Sequence, residues 1–249
     1  MNQLLMNFEN IRQQLKQPTM PIWTDEQVFD KMVDVVLSNP VKFKNLFPAM
    51  GTFHWVRILQ KCVGKLLRGS GLEDALIECG TFGPGVIETV LNGKHYYRSL
   101  AGFLIIEDLV ICLQWRAFWN THNKEDYPFL PELESLAKSL SENQVQGEEF
   151  EQACKLMKPL KHDFDRFIKV CEERTEVCKY LGICLHIVGL MKNIVASDRE
   201  GNWDLHSATV EDSIPVFGEF DCLRYFRNGG YYSEKIKSKV RNLSKPANS

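Results

Sequence analysis

Between Val177 and Ala196 the chain reads VCKYLGICLHIVGLMKNIVA, its most apolar stretch. Lys179, His186 and Lys192 interrupt the run, with Gly182 and Gly189 between them. A membrane-spanning helix needs about twenty nearly uncharged residues. The run therefore predicts a buried core helix, and no membrane association is expected. A helix that is apolar on most sides must be covered by apolar faces from elsewhere in the chain. Ser99 to Phe118 offers one such face, long and nearly continuous. With 44% hydrophobic and 11% aromatic residues, the chain can supply the others.

Helical periodicity dominates the remainder. Residues 2–17 place Leu4, Leu5, Phe8, Ile11 and Leu15 on one face, and Gln17-Pro18 ends that helix. Thr24 or Asp25 can cap a second helix, with Val28, Phe29, Met32, Val35, Val36 and Leu37 at helical spacing, stopped at Asn39-Pro40. Asn45 to Met50 is a short apolar run bounded by turn residues, and strand signal is confined to it. After Gly51 the chain reads as helix through Leu67 and breaks at Gly69-Ser70-Gly71. Short helices follow at Leu72–Cys79 and Ile87–Leu91, with a loop over Gly80–Gly85 between them. Residues 120–147 form a polar surface excursion with one helix in it, carrying Pro128, Pro131 and a Leu133/Leu136/Leu140 stripe. Phe150 to Ser197 predicts two helices separated near Pro159. A turn over Asp198–Asn202 precedes another helix, which puts Trp203 and His206 on one face. The fold class is mostly α, in the α+β sense, with few short strands.

Eight cysteines stand at 62, 79, 112, 154, 171, 178, 184 and 222. None form a C-x-x-C pair, and the N-terminus lacks the apolar core and cleavage site of a secretory signal. Reduced thiols in an intracellular protein, nuclear or cytoplasmic, are expected. Cys171, Cys178 and Cys184, spread evenly along one predicted helix, do not have zinc-ligand spacing. The formal net charge of −2 gives no whole-chain attraction to a phosphate backbone, so any nucleic-acid contact must use a local patch.

Several groups could carry chemistry. Gly51-Thr52-Phe53-His54-Trp55 puts His54 at a strand-to-helix junction, where open α/β sheets place their sites. A histidine hydrogen-bonding at a buried turn is the plainer reading. Gly69 to Asp74 reads as a cap, with Ser70, Glu73 and Asp74 suiting the positive end of a helix. Lys94, His95, Tyr96, Tyr97 and Arg98 join cations to aromatics, a set that stacks on bases and pairs phosphates or anchors a loop. Lys235, Lys237, Lys239, Arg241 and Lys245 make a basic C-terminal stretch, solvated or in contact with phosphate. Asp198, Glu200, Asp204 and His206 gather within nine residues, where a solvated turn is the default.

The string G-T-F-H-W, then G-S-G-L-E-D-A-L-I-E-C-G, then V-L-N-G-K-H-Y-Y-R, resembles an uncharacterised, repeat-borne, transposase-like family of animal genomes. S-D-R-E-G-N-W-D-L-H at 197–206 and F-D-C-L-R-Y-F-R-N-G-G-Y-Y at 220–232 extend the likeness. The resemblance implies an RNase H-like core, here incomplete, with a large helical portion. It makes residues 20–240 the transposase-like domain, behind a helical extension at 1–19 and ahead of a basic flexible tail at 241–249. It implies Asp25 and Glu200 as metal-holding carboxylates and, with His54, as candidate catalytic residues. The first carboxylate of such a site is expected to be missing, and the family's Asp-Gln pair stands here as Asp25-Glu26-Gln27.

The function implied is that of a truncated or domesticated transposase-like protein, catalytically incomplete, with residual DNA or protein binding. Two alternatives stay open. One is a metal-dependent nuclease using Asp25 and Glu200, completed by another acid such as Asp74 or Asp204. The other is a helical protein-interaction module. No cofactor is expected, and Mg²⁺ would enter only with an active nuclease. The expected partners are DNA, through the local patches Lys94, His95, Tyr97, Arg98, Lys235, Lys237, Lys239 and Arg241, and a protein partner or a missing N-terminal segment.

Overall fold

A computed structural model of the chain describes residues 1–142 and 147–243. Among these residues the fold is mostly helical, with eleven α-helices, one short 3-10 turn and two strands. The chain forms two compact units: Met1–Phe103 with His186–Ser249, and Leu104–Leu185.

The first unit starts with α1 (Asn2–Gln14) and β1 (Met20–Thr24). Next come α2 (Glu26–Ser38) and β2 (Leu46–Met50). The strands pair in parallel, with Met20 opposite Leu46 and Thr24 opposite Met50. Parallel neighbours need a crossover, which α2 provides. The sequence reading found only β2, whose five residues are all buried. In β1 only Ile22 is buried, and Pro21 denies the strand one ladder donor, so no apolar or alternating run marks it. Pairing with β2 makes it a strand. Leu5 of α1 packs with Ile22, Met32, Phe43 and Leu46 in one cluster, drawing the N-terminal helix into this unit.

β2 runs into α3 (Thr52–Leu67), followed by α4 (Leu72–Glu78) and α5 (Pro84–Leu91). At the Gly69–Gly71 break Gly71, with φ 82°, and not Ser70 is the N-cap of α4; Leu72 N–H donates to Ser70 Oγ, and Gly69 N–H donates to the Glu73 carboxylate. α3 and α5 touch backbone to backbone at Gly64, where an added Cβ would lie 1.8 Å from the Leu91 carbonyl oxygen.

α6 (Tyr96–Trp119) and α9 (Glu176–Glu200) each contain a boundary between the two units. The first unit ends with α10 (Trp203–Glu219) and α11 (Leu223–Leu243). These two helices return to the N-terminal elements. The Trp55 ring meets Phe217, Tyr225 and Tyr232 edge-on, and Phe29 meets Tyr231 and Tyr232. The buried carboxylate of Glu26 accepts from Asn228 Nδ2 at 3.1 Å, and Asp30 pairs with Arg227 at 2.5 Å.

The second unit contains α7 (Leu130–Ser141) and α8 (Gly147–Arg174). Phe118, Tyr127 and Leu160 form its buried cluster, surrounded by Trp115, Trp119, Phe164 and Phe167. The Trp115 and Phe164 rings stack at 3.9 Å. Within the expected excursion, α7 is a helix and Tyr127 is only 7% exposed, donating its hydroxyl hydrogen bond to Asp163.

Pro159 does not divide the helices as expected: α8 runs through it, and the break falls at Thr175, whose Oγ1 accepts from Cys178 N–H. A proline forfeits one backbone hydrogen bond of the helix, and burial of the adjacent Leu160 holds the turn in place. Cys171 therefore lies on α8 while Cys178 and Cys184 lie on α9, instead of all three sharing one helix. The expected turn over Asp198–Asn202 shrinks to Gly201-Asn202, with Gly201 at φ 63° and Asn202 capping α10. Among the described residues α9 is long and apolar enough by composition to cross a membrane. Its Ile187, Val188, Met191 and Ile194 are buried.

Candidate nucleic-acid interface

The two parallel strands end side by side, and each opens into a helix. Asp25 follows β1 and caps α2, its Oδ1 accepting from Val28 N–H at 2.8 Å. Gly51 follows β2, and its N–H donates to Thr24 O at 2.8 Å. A side chain at position 51 would press on that same oxygen, its Cβ 3.2 Å away. The motif's glycine therefore serves a close backbone approach. His54 sits in the first turn of α3, so the sheet brings Asp25 and His54 to neighbouring strand ends.

α3 also presents Phe53 and Arg57 from its first turns. Phe53 is 48% exposed and stacks on Tyr96, with ring centroids 4.7 Å apart and planes 27° apart. Tyr97 meets Tyr96 edge-on at 5.1 Å and is itself 81% exposed. The His54 ring meets Phe53 edge-on, with centroids 5.3 Å apart. Arg57 lies over the Phe53 ring with its guanidinium carbon 5.9 Å from the centroid.

The turn between α5 and α6 is latched to α3. Arg57 Nε donates to Gly93 O, and Gln60 Nε2 donates to Tyr96 O at 3.0 Å. Gly93 has φ 62°, and a Cβ there would meet the Arg57 carbonyl oxygen and Gln60 at 3.1–3.2 Å. The buried Ser99 hydroxyl donates to Val90 O at 2.8 Å and fixes the start of α6. This latching fixes on α3 the turn that bears Lys94, His95, Tyr97 and Arg98, all exposed, and Tyr97 meets the Phe53–Tyr96 stack. Two segments singled out separately in the sequence, 51–55 and 94–98, meet through a pair of rings. Burial pushes the Tyr96 phenol above its usual range, so it stays neutral.

Glu200 is exposed at the C-terminal end of α9, the negative end of the helix dipole and a poor place for an anion. Asp74 and Asp204 lie exposed in the first turns of α4 and α10. Among the described residues no three His, Cys, Asp or Glu side chains converge as metal ligands. One Asp25 oxygen is spent on the α2 cap, and a two-metal centre would need three converging carboxylates.

His206 is buried rather than in a solvated turn. Its ring stacks on Trp203 at 5.1 Å and 7°, as their shared helix face requires, and Trp23 abuts it edge-on at 5.8 Å. Ser197 Oγ donates to Ile194 O, which leaves that oxygen to accept from His206 Nδ1–H at 3.5 Å. His206 Nε2 then accepts from the Tyr232 hydroxyl at 3.0 Å. Burial lowers the His206 pKa against a weaker opposing pull from Asp198, so the ring is neutral near pH 7. With Ser197, His206 and Tyr232 at 2%, 3% and 0% exposure, no face is open to a substrate, and the group joins α9, α10 and α11.

Of the C-terminal cations, Lys235 and Lys237 lie on α11 with partners of their own. Lys237 pairs with Glu211 at 2.6 Å, and Lys235 lies over the Tyr231 ring at 5.2 Å. The side chains of Lys239 and Arg241, and residues 244–249, lie outside the described residues. Sequence reasoning missed Phe53 and Arg57 as parts of the aromatic platform. Their i, i+4 spacing was visible, but it is equally the spacing of a core face.

No curated protein and no solved structure matches the chain. A family model described as a domain of unknown function, DUF8702, matches residues 1–247, and the chain belongs to that family.

Proposed function

We propose that this chain is a transposase-like protein, descended from an RNase H-like enzyme, that binds single-stranded DNA without a complete catalytic centre of its own. The observation that carries the reading is the ring stack of Phe53, Tyr96 and Tyr97, with Arg57 over Phe53 and the exposed Lys94, His95 and Arg98 flanking the tyrosines in sequence. Unstacked bases pack on such rings whatever their identity, and the surrounding cations pair with the phosphates. Duplex bases are already stacked on each other, so the platform favours single strands. With a net charge of −2, the attraction is confined to this patch and is sensitive to salt.

Fluorescence anisotropy with a labelled mixed-sequence oligodeoxynucleotide, single-stranded or duplex, tests the proposal. The single strand binds more tightly, and affinity falls as salt rises. Tyr97→Ala costs about 1–3 kcal/mol of binding, the worth of one base stacked on a ring, with the fold unchanged. Absence of salt-dependent binding to either form would refute the reading and leave the helical interaction module. A nicking assay with Mg²⁺ or Mn²⁺ addresses the nuclease alternative: strand cleavage lost in Asp25→Ala would revive it.

A further inference from the structure

Cys62 and Cys222 stand 160 residues apart in the chain, yet their sulfurs lie 4.0 Å apart. Cys62 is buried in α3, and Cys222 is half-buried immediately before α11. All eight cysteines are free thiols. The turn that delivers Cys222 is tightly wound: Asp221 adopts φ 56°, and Cys222 N–H donates to Phe217 O at 2.7 Å. Lys65 of α3 reaches the same turn and donates to Phe220 O at 2.6 Å.

We propose that Cys62 and Cys222 are a redox pair that closes reversibly to a disulfide, with Cys222 the first sulfur to react. The sulfurs must approach from 4.0 Å to about 2.05 Å, a movement on the scale of side-chain rotation. The two thiols differ in the way such a pair needs. The Cys62 S–H hydrogen bond and the nearby Lys65 and Lys61 lower Cys222 to about 7, whereas Cys62, donor of that bond and buried, is held far above the usual thiol range. Cys222 is also the more accessible sulfur, so it meets the oxidant first as the thiolate nucleophile, and Cys62 is the resolving group.

Hydrogen peroxide serves as oxidant. The Cys222 thiolate attacks one peroxide oxygen, the O–O bond breaks, and the departing hydroxide takes a proton to become water. Cys222 is left as a sulfenic acid. Cys62 then gives up its proton and its sulfur attacks the Cys222 sulfur. The S–O bond breaks, and the hydroxide leaves with that proton as a second water. Two thiols and one peroxide become one disulfide and two waters, with two electrons passing to the peroxide. A small dithiol reverses the reaction by exchange.

Cys171 and Cys178 are the rival pair, since they interact across the break between α8 and α9, but burial raises the Cys171 thiol and slows it. The experiment treats the whole wild-type chain with one equivalent of hydrogen peroxide, blocks the remaining thiols and maps the peptides by mass spectrometry. Two of the eight thiols disappear, a Cys62–Cys222 cross-linked peptide is the first product, and dithiothreitol restores both. In Cys62→Ser the reaction halts at a sulfenic acid on Cys222, trapped by dimedone. In Cys222→Ser, Cys62 stays unmodified. A first cross-link at Cys171–Cys178, a link between two chains, or equal modification of all cysteines would overturn the proposal. Because the wild-type map decides it, a variant that fails to fold does not.

Discussion

The two compact units bury their interiors by different means. In Leu104–Leu185 the core is a nest of rings, Trp115, Phe118, Trp119, Tyr127, Phe164 and Phe167, contributed by long helices and the short connection between them. In the other unit the interior interleaves apolar and polar groups from distant parts of the chain. Glu26 is bonded to Asn228, and His206 to both Ser197 and Tyr232. Ring packing is tolerant and roughly additive in buried area, whereas a buried polar network fails when one partner is lost. The polar-interleaved unit is also the one that presents the Phe53–Tyr96–Tyr97 surface, which depends on backbone placed within tenths of an ångström by Gly51 and Gly93.

The largest effect is expected in the ring-packed unit. Phe118 is fully buried, and Phe118→Ala is expected to cost about 3–5 kcal/mol. Hydrogen exchange should show lost protection centred on residues 104–185 while β1, β2 and α3 stay protected. Equal loss everywhere would break the comparison and make the two units one cooperative body. In the polar-interleaved unit, Tyr232→Phe leaves the shape intact but strips the donor from buried His206 Nε2, at a cost of about 1–3 kcal/mol in denaturant unfolding. If that substitution is neutral, the polar network is not what orders this unit.

The same network has a pH signature. His206 has a folded-state pKa below the ordinary histidine value of 6.5, so below pH 6.5 the unfolded chain takes up a proton that the folded chain refuses. Its contribution to stability is complete above that value and declines as the pH falls toward the folded-state pKa. His206→Gln should flatten this part of a stability-against-pH curve, and an unchanged curve would assign the slope to another group. Smallest is Asp25→Ala, which removes the α2 cap for about 1 kcal/mol in thermal unfolding. A much larger loss would mean that Asp25 does more than cap.

How far these features could be read from sequence depended on how local their causes are. β2 was legible because five buried residues are bounded by turn chemistry, and the Trp203–His206 face was legible because helical spacing alone dictates it. β1 was not, since its identity as a strand comes from the partner and only Ile22 faces inward. Pro159 misled because proline is ordinarily a boundary, and the neighbouring Leu160 that overrides it works through tertiary packing. The cluster at 94–98 was recognised by composition. Its meeting with Phe53 was hidden, because a long-range latch of Arg57 and Gln60 onto the α5–α6 turn creates it.

The contact at Gly64 has a consequence far from itself. α5 lies hard against α3 there, and the turn bearing Lys94 to Arg98 follows Leu91 within a few residues. Gly64 lies eleven positions along α3 from Phe53, roughly 16 Å of helix at about 1.5 Å per residue. A methyl group at position 64 would push Leu91 outward and swing the turn about this fulcrum, prising Tyr96 from Phe53. The exterior thus inherits its alignment from an interior atom that is missing, and drift at a hidden glycine would be felt as a displaced ring stack at the surface.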